Sequence, residues 1–260
     1  MTKPILKVVA SAYRACPVFE SVLIFISLIF WENMGPFRIL WRSSMARKIK
    51  KRERSSVIFV FWEGESEQEY FKFVKQEFQE KANVIIHKQK GLFSKAVAAF
   101  QKNPKYKAIS EEVSEIWFVF DTEVELRVKW EEYLKDIRWL RKLNHEIKVR
   151  LLMTKGCIEY FFLLHFEKCA PPIVLPSDKD KVQDRLKQYV PDYAKGDGNS
   201  ILKIAERYEV VIENGEWSLL KVVGLNEIDL KNEDNKNKIL FFTDSTFTNV
   251  HEVLKELSEK

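Results

Sequence analysis

The chain has 260 residues, of which 46% are hydrophobic, 13% aromatic and 31% charged. That composition is globular and excludes a disordered chain, a collagen-like repeat and a polytopic membrane protein. The formal net charge of +5 is uneven: residues 1–44 carry +3, residues 45–54 (MARKIKKRER) carry +5 and residues 55–260 carry −3, so bulk charge gives the folded body no claim on nucleic acid.

Residues 22–31 (VLIFISLIFW) form an apolar run behind Lys3, Lys7 and Arg14. The run is shorter than the ~20 residues a transmembrane helix needs. It imitates a secretory signal but lacks a small-residue cleavage site. A membrane-tethered chain is one reading of it. The other is that Met45 opens an ordinary cytosolic start and that 1–44 is a non-native extension. The chain then divides into an extension (1–44), an α/β core (45–170) and a C-terminal helical and hairpin region (171–260). Cys16, Cys157 and Cys169 are odd in number and show no CxxC spacing, which argues against a disulfide scaffold and for a reducing, cytoplasmic setting.

SVIFVFW (56–62) is a continuous apolar run, the pattern of a strand buried on both faces. A helix follows, with Ser66 as N-cap, Glu69 completing a capping box, and Tyr70, Phe73, Val74 and Phe78 at helical spacing. A strand over 83–87 and a helix over 92–101 come next. EIWFVF (115–120) is a second buried strand and leads to a helix over 128–143; IKVRLLM (147–153) is a strand leading to a helix over 157–168. This β-α alternation predicts an α/β fold with a parallel sheet and helices on both faces. Helices are expected over 178–189, 200–208 and 246–257. Asn214-Gly215 between apolar runs signals a β-hairpin over 209–220, and 226–238 reads as a polar loop.

Ligands of open parallel sheets bind at the carboxyl ends of the strands. Glu63 ends the first strand, and Asp121 and Glu123 end the third. Carboxylates gathered there repel one another and offer the oxygen ligands that Mg²⁺ or Mn²⁺ select. Gly64 allows a tight turn that leaves Glu63 projecting, and Glu159, in the first turn of its helix, can join the cluster. Glu65 and Glu67 fit better as complements of a helix dipole. Lys155 and Lys195 are candidate phosphate contacts in loops. His87 ends a strand near the site. Cys157 and His165 are about 12 Å apart along one helix, too far for a nucleophile and its base. There is no GxxxxGK[ST], GxGxxG or GxSxG pattern.

WEGESEQEYF (62–71) resembles the EGE-x-TE-x-YF opening of the RloB-like family. IWFVFDTE (116–123), CIEYFFLLHFE (157–167), YAKG (193–196) and STFTNVHEVL (245–254) resemble its later elements in order. That family is similar to Toprim nucleases, in which a Glu after the first strand and a DxD after a later one organise Mg²⁺. The resemblance implies a Rossmann-like, Toprim-type fold and a metal-dependent nuclease with Glu63, Asp121 and Glu123 as catalytic metal ligands. It also implies a nucleic-acid substrate (DNA, RNA or tRNA) and an antiphage abortive-infection setting beside an ABC-type ATPase. Here the second Asp of DxD is Glu123 and the Asn-Pro before the helix is Lys155-Gly156. The alternative is a catalytically degenerate module that docks the ATPase and senses a phage signal.

Overall fold

A computed structural model describes residues 56–144, 147–226 and 232–260. The 1–44 extension, its apolar run and the basic leader lie outside these residues. Strands β1 (Ser56–Trp62), β2 (Ala82–Ile86), β3 (Val113–Thr122) and β4 (Lys148–Lys155) form one sheet in the order β2-β1-β3-β4, all parallel. Helices α1 (Glu65–Glu77), α2 (Phe93–Lys102), α3 (Pro104–Ile109), α4 (Trp130–Leu140) and α5 (Ile158–Leu163) occupy the crossovers and the exit from β4. The chain closes with α6 (Pro176–Tyr189), α7 (Gly198–Ala205), α8 (Tyr208–Asn226), α9 (Glu233–Phe242) and α10 (His251–Glu259). The expected Rossmann-like sheet flanked by helices is what forms.

The side-chain period of a strand explains why these runs are apolar throughout. Ile58 and Val60 face one cluster with Tyr70, Phe71, Phe161 and Leu254, while Val57, Phe59 and Phe61 face another with Phe93, Trp130, Leu140 and Phe241. The exposed edge of β4 is closed by the segment that follows α9. Lys155 N donates to Phe247 O (2.9 Å), and the buried Asn249 side chain accepts from Met153 N (2.6 Å) and donates to Leu151 O (2.8 Å). Those bonds satisfy backbone groups that a bare edge would leave open to another chain.

Three expectations are corrected. The hairpin over 209–220 does not form: these residues lie inside α8. Asn214 donates its amide to Leu164 O (2.8 Å), and a Cβ at Gly215 would stand 2.7 Å from the His251 ring. The glycine is there for the close approach of α8 to α10, and that contact outweighs its poor helix propensity. Part of the polar stretch 226–238 is helical, α9 being capped by Asn232, which accepts from Asn235 N (3.1 Å). The N-cap of α1 is Gly64, with no side-chain bond, in place of Ser66. The Ser66 hydroxyl instead accepts from Gly196 N (3.0 Å), tying the 193–196 loop to the first turn of α1. Among the described residues no helix is long and apolar enough to cross a membrane.

Candidate functional site

Because all four strands run the same way, their carboxyl ends share one edge of the sheet. Trp62 is level with Val119, so Glu63 emerges beside the last turn of β3. Asp121 N donates to Glu63 Oε2 (3.2 Å), which orients that carboxylate across the gap between β1 and β3. Asp121 in turn accepts from Ile158 N (3.2 Å) at the start of α5. In the first turn of that helix, buried Glu159 accepts from the Tyr193 hydroxyl (3.1 Å) and lies 3.8 Å from the Lys195 ammonium.

Glu67 joins this group, against the expectation that it complements a helix dipole. It is 3% exposed. Its position three, four and seven residues before Tyr70, Phe71 and Val74 puts it on the buried face of α1. Gly64 makes room for it: the backbone there is ordinary (φ −130°, ψ 159°), but a Cβ would fall 2.6 Å from Glu67 Oε2. The glycine serves space more than turn geometry.

The electrostatics follow from this crowding. Burial raises Asp121 well above the usual carboxylate range, and Glu67, Glu63 and Glu159 raise it further. Burial, then Glu63 and Glu159, push Glu67 up to about 7, while Lys195 opposes the shift. Glu63 is also raised, first by burial and then by Glu123. Asp121 Oδ1 and Glu67 Oε2 are buried and have no hydrogen-bond partner. Buried polar atoms are nearly always paired, so two orphaned carboxylate oxygens in one cluster are costly to the fold.

That cost has a pH signature. Between pH 4.5 and about 7 the folded chain keeps a proton on Glu67 that the unfolded chain has released, so this group's contribution to stability falls as pH rises through the window. Buried His165 and His251, both pushed down to about 3 by burial, work in the opposite sense and cost stability below pH 6.5. The difference between variant and wild type cancels the histidines and leaves Glu67 with the carboxylates it acts on. Glu67→Gln should exceed wild type by more than about 1 kcal/mol in urea unfolding at pH 8, with the gap closing by pH 5. A gap independent of pH would contradict this account of Glu67.

The other candidates stand as follows. Glu123 lies beside the cluster, ion-paired with Lys179 of α6. Lys155 is buried at the end of β4; its ammonium is 3.7 Å from Asp244, which also pairs with Arg127 (2.6 Å). Lys195 is exposed at the rim of the cluster. His87 is engaged with the Tyr106 hydroxyl (2.7 Å). His165 is structural: the Phe161 carbonyl can only accept, so Nδ1 carries the proton and Nε2 accepts from Tyr70 (3.0 Å). Burial raises the Cys157 thiol far out of its reactive range.

For a divalent cation the donor chemistry fits. The cluster is all oxygen, it is short of positive charge, and two of its oxygens lack partners. Its spacing does not close a coordination sphere: among the described residues no three His, Cys, Asp or Glu side chains are gathered to hold one metal ion. Sequence reasoning missed Glu67, Tyr193 and Ser66. The helical spacing of Glu67 from Tyr70 and Val74 was the signal for the first; the other two were marked only by their places in the family motifs at 62–71 and 193–196.

An all-parallel α/β sheet with acidic side chains at its carboxyl edge defines the class of this protein. A family model described as RloB-like protein matches residues 58–257, well over half of the chain, and the chain belongs to that family. Comparison with curated proteins and with solved structures found no match. The family elements converge in space: Tyr70 packs on Phe161 and Phe162 (ring centroids 4.9 and 5.8 Å apart), while Glu67, Asp121 and Glu159 form one cluster to which the 193–196 loop is bonded through Tyr193 and Gly196.

Proposed function

We propose that this RloB-like protein is a divalent-cation-dependent phosphodiester hydrolase of Toprim type that acts on nucleic acid, DNA or RNA. The observation that carries the reading is the pair of buried, unpartnered oxygens on Asp121 and Glu67 within a cluster of four carboxylates. Glu63, Glu67, Asp121 and Glu159 would hold Mg²⁺ or Mn²⁺, and Glu123 would join them if released from Lys179. A bound ion would neutralise phosphate charge and lower the pKa of water. The chain's own contribution is positioning. The Ile158 amide orients Asp121, the Asp121 amide orients Glu63, and the Tyr193 hydroxyl holds Glu159. Lys195 brings an exposed cation to the rim, where a phosphate would arrive.

The cellular setting, an antiphage abortive-infection locus with an ABC-type ATPase partner, rests on family resemblance alone. A second reading has its own support. The Glu123–Lys179 ion pair, which engages the second carboxylate of the D-x-E pair, favours a degenerate module that docks the ATPase. Phage challenge of a host carrying the native locus separates the two. Loss of protection by Asp121→Ala, at unchanged protein level, is the expected result; full protection by that variant would favour the module.

A further inference from the structure

A cavity of about 260 Å³ opens beside Glu63, away from the buried side of the carboxylate cluster. Its walls carry two kinds of charge. Lys90 and Lys129 line it, and neither is in an ion pair among the described residues. Both ammonium groups act on Glu63, lowering its pKa against the effect of burial. Glu132 and Asp136 line the cavity from α4, and Tyr133 stands between them with its ring 4.4 Å from Phe93. The turn carrying Lys90 is pinned at the end of β1, because Gly91 N donates to Trp62 O (3.0 Å). The backbone that carries Lys90 is therefore held next to Glu63.

The volume is below the roughly 300–1,000 Å³ of a pocket for a whole drug-sized ligand. It suits one unit of a larger molecule. A simple anion would be repelled by Glu132 and Asp136, and a simple cation by Lys90 and Lys129. A ligand that satisfies both must carry an anionic group and, a few ångströms away, hydrogen-bond donors. A nucleotide does so when its base bears an amino group: the phosphate meets the ammonium groups and the N–H donors meet the carboxylates, as carboxylates accept from the amino group of cytosine. The aromatic ring of Tyr133 offers a stacking surface to such a base. A cavity of about 260 Å³ has room for one base and none for its pairing partner, so the nucleotide must be unpaired.

We infer that the cavity formed by Lys90, Lys129, Tyr133, Glu132 and Asp136 holds one unpaired, amino-bearing nucleotide adjacent to the phosphodiester at the carboxylate cluster. This rests on the hydrolase reading for what happens next door, but binding in the cavity needs no metal. The substrate is then single-stranded, or locally unpaired, at the cleavage site. A strand rich in cytosine, adenine or guanine is held in preference to one of thymine or uracil.

The test is fluorescence anisotropy of labelled oligo(dC) and oligo(dT) 12-mers on the full-length chain, at pH 7.5 in EDTA. Lys90→Gln with Lys129→Gln should weaken both oligonucleotides at least tenfold and flatten the dependence of log K on log salt, by about 0.7 for each phosphate that is no longer neutralised. Lys75→Gln with Lys238→Gln removes the same charge from exposed lysines outside the cavity and should weaken binding less than twofold. Wild type should prefer oligo(dC) at least fivefold, and Glu132→Gln with Asp136→Asn should remove that preference. Absence of saturable binding by wild type would overturn the inference. So would equal losses from the two lysine pairs, or no preference between the oligonucleotides. Because metal is excluded, failure of the cation site leaves this result standing, and failure here leaves the cation site untouched.

Discussion

Asp121→Asn is expected to raise the stability of the metal-free protein while destroying its response to Mn²⁺. The two effects have one cause. Asp121 Oδ2 accepts from the Ile158 amide, a bond that an amide oxygen can keep. Oδ1 is buried and unpartnered, beside Glu67 and Glu63, whose charges raise its pKa. An NH₂ group at that point can donate to a neighbouring carboxylate at any pH, whereas the Asp121 carboxyl can do so only while it is protonated. Relief of one buried unsatisfied group contributes about 1–3 kcal/mol. A residue kept for packing would lose stability on this change. A residue kept for binding gains it and loses ligand, because functional sites hold arrangements that the fold alone would not select. Urea unfolding at pH 7.5 without divalent ions, then with Mn²⁺, reads both effects. A destabilised variant would mean that the Asp121 carboxylate serves the fold.

Gly156→Ala should cause the largest loss of stability among changes near the site. Gly156 links β4 to α5 with φ of +88°, in the region that L side chains avoid. Alanine there costs about 1–2 kcal/mol from backbone sterics. Its Cβ would also fall 2.5 Å from Ile173 Cγ2 in the buried cluster, and overpacking typically costs a further ~1–3 kcal/mol. The expected total is about 2–5 kcal/mol in chemical unfolding. In an Ile173→Ala background the cost of the same change should shrink, because Cγ2 is removed, but not to the backbone part alone, because the Cβ at 3.0 Å stays. A loss below about 1 kcal/mol in the wild-type background would contradict this view of the turn. The turn also places Ile158 and Glu159 beside Asp121, and Gly156 N donates to Thr122 O (3.2 Å), so the site and the fold share this residue.

The elements that were legible in the sequence are those whose burial is written into one short segment. SVIFVFW and EIWFVF are apolar at nearly every position because both faces of a central parallel strand are covered. Glu63 and Asp121 were legible for the same reason, since the end of such a strand is known once its run is known. Errors arose where the deciding contact was distant in sequence. Asn214-Gly215 has the local chemistry of a turn, but His251, 36 residues later, requires a glycine on the face of α8. Glu123 reads as a free carboxylate until α6 brings Lys179 to it from 56 residues away. Tyr193 and Ser66 become part of the site only when the 193–196 loop folds back onto α1. Glu67 is different: its spacing from Tyr70 and Val74 placed it on the buried face, and the pull of a helix dipole was the weaker of two local arguments.

The central claim is that the carboxylates at the strand ends are a cation site. Calorimetric titration of Mn²⁺ into the full-length chain and into its Asp121→Asn variant tests it most directly, because binding can be read without knowing substrate, trigger or partner. Saturable binding by wild type that the variant loses or weakens at least tenfold is the predicted result. A folded wild type that takes up no Mn²⁺, or a variant that binds it equally well, would contradict the claim.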